Sequence, residues 1–251
     1  NATKTEAIVS ACEDVAAGQY LDQFIVDVIQ GGAGTSTNMN ANEVIANRAS
    51  QIMGKEIGSK AIHPNDDVNR GQSSNDTMPT AMQVSALLGI TNELIPALQG
   101  LHKQLEKKSS DFSKIVKTGR THLQDATPIT LGQVFKGFAG QVERGLNRLK
   151  FAQSELSELP LGGTAVGTGV NTHREFPGKT IALMAEELGV ELKETDNHFC
   201  GQNNVDAMIS ASGCVRTVAA SLYKIANDIR FMGCGPRAGL GELSQIGRAH
   251  V

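Results

Sequence analysis

Leu87-Leu88-Gly89-Ile90-Thr91-Asn92-Glu93-Leu94-Ile95-Pro96-Ala97-Leu98-Gln99-Gly100-Leu101-His102-Lys103-Gln104-Leu105 decides the fold class. Leu87, Ile90, Leu94, Leu98, Leu101 and Leu105 recur at spacings of three and four, which lines one face of a helix. Pro96 falls inside this stripe, where its missing N–H and its ring predict a bend rather than a stop. The same period returns at Leu131, Val134, Phe138, Val142, Leu146 and Leu149, and again at Val215, Val218, Leu222, Ile225 and Ile229. Three long amphipathic helices imply a bundle.

Shorter helical patterns fit Glu6 to Ala17, Asn40 to Met53 and Lys179 to Leu188, and alternating strand patterns are scarce. The chain therefore reads as all-α. Four connections rich in Gly, Ser, Thr, Asn and His separate the helices: Gly31 to Asn38, His63 to Thr77, Thr118 to Pro128 and Leu161 to Thr172. Loops mounted on a rigid bundle are where small-molecule chemistry is sought.

Composition narrows the function. The chain has 251 residues, 40% hydrophobic and 20% charged, as a globular protein does. A formal net charge of -3 and the lack of a Lys/Arg run argue against nucleic acid and anionic lipid as partners. Cys12, Cys200, Cys214 and Cys234 form no CxxC pair, which points to free thiols in a reducing compartment. No apolar stretch approaches the roughly 18 to 20 residues that a membrane span needs, and the opening residues lack a signal-peptide pattern.

Gln72-Ser73-Ser74-Asn75-Asp76-Thr77 stands before a helical pattern, so its hydroxyl and amide groups could join free backbone N–H groups in binding a carboxylate. The bland alternative is an N-cap at Ser74, Asn75 or Asp76, with Pro79 in the first turn. Gly119-Arg120-Thr121-His122-Leu123-Gln124 sets an imidazole beside a hydroxyl, a candidate proton relay, although a lone His is more often structural. His63-Pro64-Asn65-Asp66-Asp67 lacks a second His at ligand spacing, so no metal is expected there and a solvated turn is the simpler account. Gly31 to Thr35 and Gly162 to Gly169 match neither Walker nor dinucleotide spacing; their glycines suit close backbone approach to a small anion or a helix.

Taken together, four stretches resemble the fumarase/aspartase superfamily: Gly-Ala-Gly-Thr-Ser-Thr-Asn-Met-Asn from Gly32, His-Pro-Asn-Asp-Asp-Val-Asn from His63, Ser-Ser-Asn-Asp from Ser73 and Gly-Arg-Thr-His-Leu-Gln-Asp-Ala from Gly119. The resemblance runs from about Leu21 to Leu243. His63-Pro64-Asn65-Asp66, Ser73-Ser74-Asn75 and Asn171-Thr172-His173 look like the class II fumarate hydratases, whereas Ala33 is closer to the aspartases.

The resemblance implies a long-helix bundle, incomplete in this chain, in a homotetramer whose active sites are shared between subunits. It implies that residues 1–72 are part of an N-terminal helical domain and 73–245 part of the central bundle. Residues 246–251 read as a non-native tail. It further implies that Ala33, Gly34, Thr35, Ser73, Ser74, Asn75 and Thr121 bind a small dicarboxylate and that His122 moves a proton. His63, Pro64, Asn65 and Asp66 match a second anion site. The expected reaction is reversible hydration of fumarate to L-malate, with no metal or organic cofactor, in the cytoplasm or mitochondrial matrix. Family members carry their base serine on a Gly-Ser-Ser loop absent from this sequence, so the chain by itself is expected to be inactive. The alternatives are an aspartate ammonia-lyase and a non-catalytic helical structural protein.

Overall fold

A computed structural model describes residues 2–29, 32–235 and 237–244. Eight α-helices and four short strands make up its main elements: α1 (Ala2–Ala16), α2 (Thr35–Ile52), α3 (Ser74–Gly89), α4 (Ile95–Asp111), β1 (Val116–Thr121), β2 (Gln124–Thr130), α5 (Leu131–Leu156), β3 (Glu158–Leu159), α6 (Phe176–Leu188), β4 (Lys193–Glu194), α7 (His198–Asn203) and α8 (Asp206–Met232). The all-α reading holds. The expected non-native tail at 246–251 and the residue Gly31 lie outside the described residues.

The chain divides into two compact units, Asn1–Ala86 with Leu156–Asp206, and Leu87–Glu155 with Ala207–Val251. In the first, α1 and α2 pack through Ala7, Ala11, Ala46 and Ala49 around Ile62. These small side chains let two helices approach closely. Gln83 of α3 is buried and donates to the carbonyls of Leu156 (3.3 Å) and Glu158 (2.8 Å), which fixes the helix to the start of β3.

In the second unit the leucine stripes face inward as the periodicity requires, with Leu87, Ile90, Leu98, Leu105, Leu131, Phe138, Val142 and Leu149 all buried. Phe112, Phe135 and Phe138 meet edge to face. A Cβ on Gly145 of α5 would lie 3.2 Å from Val218 of α8, so the helices approach closely at that point. The α8 seam differs from the expected one. Val215 is exposed, and the buried positions Ala211, Val218, Ile225 and Met232 recur every seven residues.

Two further expectations need correction, and a third gains detail. Pro96 does not stop the helix, as expected; the irregularity just before it is a π-helical turn, Ile90–Leu94, that joins α3 to α4. Widening the turn accommodates the ring and the N–H it lacks. The continuous helix Ser74–Asp111 contains an 18-residue window of mean hydropathy 1.2, so by length and composition it could cross a membrane. Interspersed Thr, Ser and Gly hide this from a search for unbroken apolar runs. Yet the helix also carries buried Asp76 and Gln83, both hydrogen-bonded within the protein. Finally, Thr118 to Pro128 is not a loop: β1 and β2 pair antiparallel across most of it.

Candidate functional site

The Ser73 to Asp76 stretch begins α3, and its cap is Ser73. The Ser73 hydroxyl accepts from the Asn75 N–H (3.2 Å), while Asp76 three residues on accepts from the Ser73 N–H (3.0 Å). This is a capping box, with Pro79 in the second turn rather than the first. The second Asp76 oxygen reaches a distant loop. It accepts from the Gly162 N–H (3.0 Å) and the Thr164 N–H (2.9 Å), and Asp76 is completely buried. One carboxylate thus ties the serine-asparagine triplet to the Gly162 to Gly169 stretch. Asn75 adds a second tie, donating from Nδ2 to the Ala165 carbonyl (2.7 Å).

These two stretches form walls of a cavity of about 1020 Å³ within the first unit. Ala33, Gly34, Ser74 and Asn75 line it, together with Thr37, Ala165 and residues of α7 such as Gln202. Gly34 has φ 78°, a left-handed backbone that favours glycine, and the Met78 side chain of α3 packs where a Cβ would stand, with Cε 2.6 Å away. The Ser74 hydroxyl accepts from Nδ2 of buried Asn38 (2.8 Å), which leaves the Ser74 proton free to donate elsewhere. Ser74 also stands at the N-terminus of a 16-residue helix, where the backbone favours an anion.

Ser73 and Thr35 do not line this cavity; Ser73 is engaged as the cap, and Thr35 is the exposed first residue of α2. The Gly162 to Gly169 stretch lets neighbouring side chains pack against its backbone. Cβ atoms on Gly162, Gly163 and Gly167 would strike Pro177, Gln202 and Phe199 at 2.2, 1.9 and 2.9 Å. Asn38, Asp76 and Gln202 were not singled out as site residues from the sequence. For Asp76 a signal existed, since an acidic residue three positions after a serine is the capping-box signature.

Thr121 and His122 belong to the second unit. They sit at the tip of the β1–β2 hairpin, where Thr121 pairs with Gln124 and the two-residue turn is His122-Leu123. Both turn residues have positive φ, 51° and 64°, and both are exposed. Such turns ordinarily use Gly or Asn, so this tip is strained. Lower down, the register shifts between Thr118 and Arg120, and a Cβ on Gly119 would lie 2.6 Å from the Thr127 carbonyl oxygen. Gly119 therefore makes room for the bulge.

Arg120 Nη2 donates to Glu242 Oε1 (2.6 Å), and Lys117 Nζ stands 3.1 Å from Glu242 Oε2. Burial pushes the Glu242 carboxyl up, but the bonds from Arg120 and Lys117 outweigh it and hold the group below the usual carboxylate range. The bond to Glu242 likewise raises the Arg120 guanidinium.

The His63 segment is a π-helical turn, Pro64–Val68, capped by the His63 ring: Nδ1 accepts from the Asn65 N–H (3.3 Å) and the Asp66 N–H (3.2 Å). With Nδ1 accepting, the neutral ring carries its proton on Nε2. Asp67 secures the turn, accepting from Lys4 and from the His63 N–H, and these bonds hold its carboxyl below the ordinary value. Among the described residues no group of three or more His, Cys, Asp or Glu is arranged to hold a metal ion.

A family model described as lyase matches residues 1–249. Fumarate hydratase 2 of Arabidopsis thaliana is 55% identical over 239 residues, 95% of this chain and 48% of that protein. A class II fumarate hydratase of Halobacterium salinarum is 56% identical over 242 residues, 96% of this chain and 52% of that protein. Among solved structures, a fumarate lyase:delta crystallin from Brucella melitensis bound to cobalt superposes with a TM-score of 0.90 at 46% identity, covering 96% of this chain and 52% of that one. The chain spans about half the length of the curated relatives it matches.

Proposed function

Because the chain belongs to the lyase family whose model it matches over residues 1–249, we propose that the full-length protein catalyses the reversible hydration of fumarate to L-malate. The observation that carries this reading is the Ser74-Asn75 corner. A hydroxyl with a free proton stands at a helix N-terminus on a cavity wall, backed by a buried amide. That arrangement offers neutral donors to a carboxylate without a competing fixed cation.

In the malate-to-fumarate direction a C–H bond beside one carboxylate breaks to a base. The electron pair moves into the adjoining carboxylate to give an aci-form, then returns to make the C=C bond. The C–O bond breaks and the departing oxygen takes a proton to leave as water. Donors held against the carboxylate stabilise the charge of the aci-form, each worth about 3 kcal/mol where well placed. Ala33, Gly34, Thr35, Ser73, Ser74, Asn75 and Thr121 are proposed to bind the dicarboxylate, and His122 to protonate the departing oxygen through water. The base is proposed on a serine of a Gly-Ser-Ser loop beyond this sequence.

His63, Pro64, Asn65 and Asp66 are proposed as a second anion site, where the His63 Nε2–H supplies a donor. The assembly proposed is a homotetramer with shared active sites, in the cytoplasm or mitochondrial matrix. Residues 1–72 and 73–245 are proposed to belong to its N-terminal and central domains. Ala33 on the cavity wall is the feature that favours the rival ammonia-lyase reading.

The test is to follow fumarate absorbance in the purified full-length protein given L-malate or L-aspartate. Turnover of malate alone is expected, and His122→Asn should slow it by about a hundredfold with little change in thermal stability. Turnover of aspartate alone would transfer the assignment to an ammonia-lyase. With neither substrate turned over, a structural role would stand instead.

A further inference from the structure

We propose that Glu242 is a positioning residue that splints the β1–β2 hairpin and so fixes the tip carrying Thr121 and His122. The inference rests on the reading of His122 as a proton donor, and its physical basis is the geometry around the bulge. Lys117 precedes the register shift and Arg120 follows it, and the same carboxylate engages both, at 3.1 and 2.6 Å. Beyond the shift only two ladder pairs remain, Arg120 with Asp125 and Thr121 with Gln124. The tip therefore hangs on two pairs while its turn holds His122 and Leu123 at positive φ. A strained turn persists only where its surroundings over-determine it. Glu242 supplies that constraint across the point where the ladder is weakest.

The carboxylate itself is firmly mounted. The Glu242 N–H donates to the Met232 carbonyl (2.9 Å), the Leu243 N–H to the same oxygen (3.2 Å), and the Gly241 N–H to the Cys234 carbonyl (2.7 Å). Met232 is the buried last residue of α8. The hairpin is thereby referenced to the end of a 27-residue helix rather than to a free loop. Only 10%, 20% and 15% of the Lys117, Arg120 and Glu242 side chains are exposed, so water competes weakly for these bonds. A glutamine would keep the shape but offer one acceptor oxygen, and would turn an NH2 group toward a cation.

The experiment uses the full-length protein with Glu242→Gln and Glu242→Asp. For E242Q, kcat for malate should fall at least about tenfold, because small misplacements of reacting groups cost that much or more, and KM should rise as well, because Thr121 shares the tip. Amide hydrogen exchange across Arg120 to Asp125 should quicken by at least about tenfold, and E242D should recover part of both losses. A merely structural role predicts a uniform loss of folded protein, with the kcat and KM of the remainder unchanged. Unchanged hairpin exchange in E242Q overturns the proposal. If E242Q does not fold, Arg120→Lys, which keeps the charge but loses the guanidinium's reach, carries the same test with the same expected signature. A wild-type protein that turns over no malate defeats the hydratase reading alone, since the exchange comparison still decides whether Glu242 holds the hairpin.

Discussion

Asp76 in one unit and Glu242 in the other each gather donors onto a single carboxylate, but they do so in different surroundings. Asp76 is completely buried and takes three backbone N–H groups, from Ser73, Gly162 and Thr164. Glu242 keeps 15% of its side chain exposed and takes two side-chain cations. Backbone donors cannot swing away, so the Asp76 contacts define one rigid rim for the cavity. Lys and Arg hold Glu242 through its charge, so the hold of Glu242 on the hairpin depends on pH. The Ser74-Asn75 corner is thus backed by buried side chains, Asp76 and Asn38, while Thr121 and the proposed proton donor sit on a strained exposed tip whose hold can be weakened.

Removing the buried centre should have the largest effect. Asp76→Ala leaves three backbone N–H groups without their acceptor, and a buried donor without a partner costs roughly 1–3 kcal/mol. Partial hydration of the vacated space offsets some of this, so the expected loss is about 3 kcal/mol. It would be read from the urea midpoint at unchanged slope. A loss below about 1 kcal/mol would show that the two loops hold each other without Asp76, and the contrast with Glu242 would collapse.

The two regions also differ in how plainly the sequence announces them. The helices are legible because Leu87 to Leu105 and Leu131 to Leu149 repeat at the helical period, and burial of that stripe is what stabilises them. The Ser73 to Asn75 corner is legible because capping residues cluster there. The hairpin is hidden. Pro128 pairs with Thr118 inside a strand, and its turn is His122-Leu123 rather than an Asn-Gly type pair, so neither alternation nor turn chemistry flags it. Nor could spacing reveal that Glu242 meets Arg120 across 122 positions. Long-range ion pairs depend on tertiary placement, which local periodicity does not encode.

The Glu242 clamp should titrate, and the sign follows from its lowered carboxyl. A group depressed in the folded state contributes stability above its unfolded value, about 4.3 for glutamate, and loses it as pH falls through the folded value. At neutral pH the full-length protein should therefore exceed E242Q in stability by about 1 kcal/mol, and the difference should shrink below about pH 4.3. Parallel melting curves of the two proteins across that range check this. A difference that does not change with pH would assign the stability to packing of the glutamate stem, not to its charge.

The smallest effect expected is at the tip, and it has the opposite sign. A leucine in the left-handed region costs roughly 1 kcal/mol, and Leu123 is 72% exposed, so it returns little of that by packing. Leu123→Gly removes the strain but adds backbone freedom to the unfolded chain, worth about 0.5 kcal/mol. The expected net is stabilisation by roughly 0.5 kcal/mol, seen as a small rise in melting temperature. Gly162 supplies the contrast. At φ 106° with Pro177 Cγ 2.2 Å from an added Cβ, it is already the residue its backbone requires. If L123G instead destabilises the full-length protein, Leu123 is covered in the assembly, and the strain at the tip is balanced by a contact beyond this chain.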